Sequence, residues 1–283
     1  MSRRNNQERL GAPHPDSATP PSPQNSSEDI FSFVVPTEFI DLPSKGEFYN
    51  EGHPLHGQTS IEIRHMTAKE EDILTSESLL RKGIAIERLL EALVVNKKIK
   101  LDDLLVGDKN ALVVGSRITG YGSLYETRVT CPTCSETQQV EFDLHTLEVK
   151  DSTLPEGVTR ESNNTFFLQL PQARLEVEIR LLTGKEEKNF LMTSERKKKQ
   201  KLPNTTSTDL LKLLIRSVED NSEPQNINKL VNILPIQDAR YIKKVYEEVC
   251  PDIDLTHEFN CNGCAYDGRI AVPLTADFFW PQR

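Results

Sequence analysis

Four of the five cysteines in this 283-residue chain fall in two Cys-x-x-Cys knuckles, Cys131-Pro132-Thr133-Cys134 and Cys261-Asn262-Gly263-Cys264. One knuckle offers a metal ion two thiolates, half of what a closed tetrahedral site requires. The knuckles lie 261 − 131 = 130 residues apart, too far for one compact finger. Two lobes meeting face to face satisfy that spacing. The chain is therefore expected to close on one structural zinc held by Cys131, Cys134, Cys261 and Cys264. A thioredoxin-like redox pair is the first rival, but that motif opens a helix after a strand. Here strand-like sequence lies on both sides of each knuckle. Two metal-free buried thiol pairs are the other alternative. A catalytic zinc keeps an open position and commonly takes histidine or carboxylate, and no such set surrounds the knuckles. His257, four residues before Cys261, would project away from the site if it lies on a strand. Cys250, just before Pro251, reads as a buried apolar residue.

The knuckles occupy the same place in two related stretches. Ile63-Arg64-His65-Met66-Thr67-Ala68-Lys69-Glu70-Glu71 is echoed by Ile179-Arg180-Leu181-Leu182-Thr183-Gly184-Lys185-Glu186-Glu187. Thr67 precedes Glu70 by three, as Thr183 precedes Glu186, which is capping-box spacing. Asp108 lies 23 residues before Cys131, and Asp238 lies 23 before Cys261. Val140 and Leu144 answer Ile270 and Leu274 at the same 130-residue offset. The Thr-to-Cys spacing is 64 in the first stretch and 78 in the second, and the excess falls near the polar run Arg196 to Thr208, read as an inserted loop. The expected class is α+β, with pseudo-duplicated halves that each combine helices with a strand–knuckle–strand unit shaped like half a zinc ribbon.

Three segments follow: a Pro/Ser-rich tail over residues 1–30, a first half over 31–150, and a second half over 151–283. The tail carries Pro13, Pro15, Pro20, Pro21 and Pro23, is too polar to bury a core, and is expected to be disordered, with order starting near Phe31. Leu42-Pro43-Ser44-Lys45-Gly46 and Phe48-Tyr49 read as an extended arm broken by a turn. Its Phe39, Phe48 and Tyr49 are candidates for an interaction surface, or for packing on the domain itself. In the first half, Ile61–Arg64 alternates as a strand, and helices are expected over residues 68–80, 84–95 and 108–118. The second half predicts a hairpin around Pro171 and helices over residues 185–199, 208–218, 225–233 and 236–249. Strands flank both knuckles.

Composition narrows the function. A net charge of −9 disfavours a general phosphate-binding face. No apolar stretch reaches the length of a membrane span, and the N-terminus does not read as a secretory signal. Spaced cysteine pairs in such a chain favour metal binding in a reducing cytosol over a disulfide framework. The basic run Arg196-Lys197-Lys198-Lys199-Gln200-Lys201 reads as a solvated helix end whose lysines complement the helix dipole. Glu70-Glu71 and Glu186-Glu187 recur at helix starts, which makes them capping residues rather than acid/base catalysts. No phosphate loop, nucleophile elbow or catalytic triad can be assembled, so no catalytic residues are assigned.

Several segments together resemble a known family. They are Leu42–Gly46 with Phe48-Tyr49, Met66-Thr67-Ala68-Lys69-Glu70-Glu71-Asp72-Ile73-Leu74, Leu105-Val106-Gly107-Asp108-Lys109, and Arg117-Ile118-Thr119-Gly120-Tyr121-Gly122 running into Val129-Thr130-Cys131-Pro132-Thr133-Cys134. In outline over residues 36–280, including Phe278-Phe279, the chain resembles the baseplate hub and hub-assembly proteins of T-even-like contractile-tailed bacteriophages. The resemblance implies a structural or assembly protein without catalysis. Its implied partners are other phage tail and baseplate proteins, and its implied place is the virion tail baseplate, or the host cytoplasm during assembly. It implies neither nucleic-acid nor membrane binding. A zinc-ribbon nucleic-acid-binding or transcription-associated protein is the competing class, and the acidic charge weighs against it.

Overall fold

The computed structural model describes residues 35–162, 164–274 and 276–279, so the tail over 1–30 and the expected boundary at Phe31 lie outside the described residues. Strand β1 (Thr37–Asp41) pairs antiparallel with β2 (Ser60–Arg64), Thr37 opposite Arg64. Alternation turns Ile61 and Ile63 into the core. The chain between these strands folds down onto the domain instead of extending as an arm. Leu42, Phe48, Tyr49 and Leu55 are all buried, whereas Phe39 is 65% exposed. Gly46 makes this possible: its φ is +73°, and a Cβ there would strike the backbone of Gln58 and Leu55.

Helices α1 (Ala68–Thr75) and α2 (Glu77–Lys82) replace the single helix expected over 68–80, because Ser76 adopts extended backbone between them. Helix α3 (Ala85–Leu93) buries Leu89, Leu90 and Leu93. A 3-10 turn at Leu101–Asp103 leads into α4 (Val106–Tyr121), which ends at Gly122 with φ +84°. Strands β3 (Leu124–Thr130) and β4 (Thr137–Asp143) then form a hairpin around the first knuckle.

After a short β5 (Val149–Lys150), strands β6 (Val158–Ser162), β7 (Thr165–Gln169) and β8 (Glu176–Arg180) lie antiparallel in sequence order. Helices α5 (Gly184–Lys199) and α6 (Thr206–Leu214) follow. The helix expected through Val218 stops at Leu214. Ile215, Ser217 and Val218 are buried in strand β9 (Ile215–Val218), which completes the sheet against β8. Helices α7 (Pro224–Ile233) and α8 (Ile236–Val249) lead to β10 (Asp252–Ile253), which pairs with β5. A second hairpin, β11 (Thr256–Asn260) and β12 (Asp267–Ala271), carries the second knuckle, and a 3-10 turn at Ala276–Phe279 follows. The class is mixed helix and sheet, with small antiparallel sheets.

Local geometry recurs along the chain. Arg64 ion-pairs with Glu70 at 2.6 Å and donates from Nε to the Ala92 carbonyl; Arg180 pairs with Glu186 at 2.7 Å and donates from Nε to the Leu213 carbonyl. Both glutamates accept from the N–H and hydroxyl of the capping threonine, Thr67 or Thr183. Each long helix preceding a knuckle carries a buried aspartate in its first turn. Asp108 accepts from the Ser44 amide and hydroxyl and from the Tyr49 hydroxyl, and Asp238 accepts from the amides of Gln172 and Ala173. Burial pushes the Asp108 carboxyl up, against the lowering pull of Ser44 and Tyr49.

One contiguous apolar core runs from Leu42 to Phe279. Arg117, fully buried, donates to the carbonyls of Phe278 and Leu124 and so ties the C-terminal turn to the base of the first hairpin. Helix α4 approaches the β10 strand so closely at Gly107 that a Cβ there would meet the Pro251 carbonyl.

For Glu70, burial raises the carboxyl pKa, but hydrogen bonds from Arg64 and Thr67 outweigh it and hold it at about 2 against an ordinary 4.5. A depressed folded pKa gives stability that is present above the unfolded value and lost as pH falls through the folded one. Glu70→Gln should therefore cost about 3 kcal/mol at neutral pH. It should also flatten the decline in stability between pH 4.5 and 2. Urea unfolding across that range measures both effects, and an unchanged acid limb would show that the carboxylate is not held this way.

Candidate metal centre

Each knuckle is the tight end of a two-stranded hairpin. In the first, Cys131 N donates to the Glu136 carbonyl and Ser135 N to the Cys131 carbonyl, with Ser135 at φ +61°. In the second, Cys261 N donates to the Tyr266 carbonyl. The turns aim backbone amides at the leading sulfur: Thr133 N lies 3.4 Å from Cys131 Sγ, and Gly263 N lies 3.4 Å from Cys261 Sγ. Amides directed at sulfur favour the thiolate, the form that ligates metal.

The hairpins bring the knuckles together. Cys131 Sγ lies 3.8 Å from Cys264 Sγ, Cys134 Sγ lies 3.5 Å from Cys261 Sγ, and all four sulfurs fall within 4.8 Å of one another. All four cysteines are free thiols. A tetrahedral ion with metal–sulfur bonds of about 2.3 Å requires sulfurs about 3.8 Å apart. The four-cysteine group can hold a metal ion. Among the described residues it is the group of histidine, cysteine and acidic side chains with that capacity.

Crowding splits the thiols. Burial raises Cys131, but the amides of Cys134 and Thr133 and the neighbouring sulfurs carry it down to about 7. At Cys134 the Glu136 amide favours the thiolate, yet burial and the other three sulfurs push it up to about 12. Four thiolates at this spacing need a cation among them.

The other sequence candidates lie elsewhere. His257, on β11, packs edge-on against Phe142 at 5.3 Å and takes no part in the sulfur cluster. Cys250 lies away from it too, half-buried and raised to about 11, first by burial. The basic run forms the exposed end of α5, where Lys197 ion-pairs with Asp209. Sequence reasoning missed Gln138, whose carboxamide donates to the Asn260 carbonyl and accepts from Asn262 N, both at 2.9 Å. Nothing in local spacing marks a glutamine on one hairpin as the clasp for another. Gln138→Ala should cost about 1 kcal/mol, the scale of such hydrogen bonds. Urea unfolding under reducing conditions reads that loss, and no change would mean that the sulfurs alone hold the hairpins together.

No curated protein and no solved structure matches this chain. The family model described as "T4 bacteriophage base plate protein" matches residues 36–280, a span that includes both hairpins and all four clustered cysteines. The chain belongs to the T4 bacteriophage base plate protein family.

Proposed function

We propose that this chain is a non-enzymatic structural or assembly protein of the baseplate hub of a contractile phage tail, with one zinc ion locking two repeated halves together. The observation that carries this reading is the family match across both knuckles. The halves run over residues 31–150 and 151–283, behind a tail of residues 1–30. Support for the repeat comes from matching strand register: Thr37 faces Arg64 as Thr165 faces Arg180, with each arginine three residues before a threonine-capped helix.

Cys131, Cys134, Cys261 and Cys264 would hold the zinc. When bound, it supplies positive charge to four thiolates and cross-links segments 130 residues apart. An all-cysteine set has no position reserved for water or substrate, which favours a structural ion. The working parts are then protein surfaces, and the partners are other tail and baseplate proteins. Its place is the virion baseplate, or the host cytoplasm if it acts only during assembly. A zinc-ribbon nucleic-acid-binding role is the alternative, disfavoured by the net charge of −9. No helix among the described residues is long and apolar enough to cross a membrane.

Elemental analysis of chelator-free protein should give one zinc per chain. Cys261→Ser should release it and cost roughly 3 kcal/mol, the scale of a long-loop cross-link, lowering Tm by about 6–12 °C. Protein without metal would end the zinc reading. An amber mutant phage grown without suppression should make no complete baseplates, and pull-down from infected cells should recover tail proteins. Normal baseplates, or recovery of nucleic acid or polymerase instead, would overturn the functional reading.

A further inference from the structure

Strands β1 and β7 pair with their inner neighbours in one register, at an offset of 165 − 37 = 128. Phe39 faces Glu62 as Phe167 faces Glu178, and Ile40 faces Ile61 as Leu168 faces Val177. The inner ladder continues identically, with His65 N donating to the Pro36 carbonyl and Leu181 N to that of Asn164. Their outer edges differ. On β7, strand β6 covers the edge, with Val158 opposite Leu168 and Thr159 opposite Phe167. On β1, no strand among the described residues does so. Phe167 is half-buried, while its counterpart Phe39 is 65% exposed. A free edge beside an exposed aromatic is a template for strand addition.

The same offset names the occupant. Taking 128 from Val158–Ser162 gives Ile30-Phe31-Ser32-Phe33-Val34, an apolar run of strand-forming residues. It would set Ile30 opposite Ile40 and Phe31 opposite Phe39. The connection decides which molecule supplies it. Asn163-Asn164 joins β6 to β7, and asparagine tolerates the positive φ that a two-residue hairpin loop demands. The counterpart is Val35-Pro36. Valine is β-branched and resists positive φ, Val35 does not adopt it, and proline is fixed near −65°. A two-residue hairpin therefore does not close there. Proline does not block pairing in trans, since the ladder contact of Pro36 is on the inner side.

We infer that residues 30–34 of one copy lie on the free β1 edge of a second copy, forming a two-fold dimer with exchanged arms. In this register each facing pair sums to 70, so the axis passes through Val35 and each arm gives the strand that it receives. Phe31 of each copy covers Phe39 of the other, a cross-strand aromatic pair. The inference stands on the strand register and is independent of the baseplate role.

Light scattering on the full chain should give a dimer. Removing residues 1–34, which leaves the compact unit beginning at Pro36, should lower the mass twofold with circular dichroism unchanged. Phe39→Lys, at an exposed position, should weaken the dimer in the same way. A full chain that is monomeric across the micromolar range, or a dimer that survives loss of residues 1–34, overturns the inference.

Discussion

Four sulfurs within 4.8 Å are the constraint from which the rest of this structure hangs. Each knuckle hairpin has only two strands, and such a pair is marginal alone in water. The sulfur cluster makes each the other's support. Beneath it, Tyr125 and Phe142 of one hairpin and Phe259 of the other join the common core, with Phe278 edge-on to Tyr125 at 5.0 Å. The hairpins are thus anchored twice: by sulfur at the tip and by aromatic packing at the base.

Buried polar groups hold the parts between. Asp108 fastens the loop through Ser44 and Tyr49 to helix α4, and the Tyr49 hydroxyl in turn accepts from Leu105 N. Such groups are costly to bury unless each is satisfied, so they specify one docking of loop on helix where apolar contacts would permit several. This is why the segment through Phe48 and Tyr49, apolar enough to be an interaction arm, belongs to the core. An aspartate with 0% exposure needs donors, and that loop provides them.

What the sequence disclosed depended on the range of the interaction. The capping threonines, the Cys-x-x-Cys turns and α8 over Ile236–Val249 are local, and each carries its own signal in a few residues. The α+β class and the sulfur quartet were readable because knuckle spacing and composition leave few options. The Ile215–Val218 segment was misread as helix because Leu210 to Val218 is evenly apolar; only the partner β8 decides that it is a strand. The Gln138 clasp and the Arg117 anchor to Phe278, 161 residues away, involve partners that no local pattern could name.

On the repeat proposed here, the halves share an internal plan and differ in what covers them. Leu104 and Leu105, in front of α4, are buried because Val106 N donates to the Leu182 carbonyl and Gly184 N to the Leu104 carbonyl. At the 130-residue offset that relates the knuckles, their counterparts are Leu234 and Pro235 in front of α8. That segment is flanked by Ile233 at 80% exposure and Ile236 at 67%. The β1 edge repeats the contrast on the other half, bare where β7 is covered. Two copies of one unit that meet asymmetrically must leave unlike surfaces uncovered, because a contact used once inside the chain cannot be used again on the same side. The uncovered counterparts are surfaces already shaped to take a strand or a loop. An assembly protein without an active site needs surfaces of that kind.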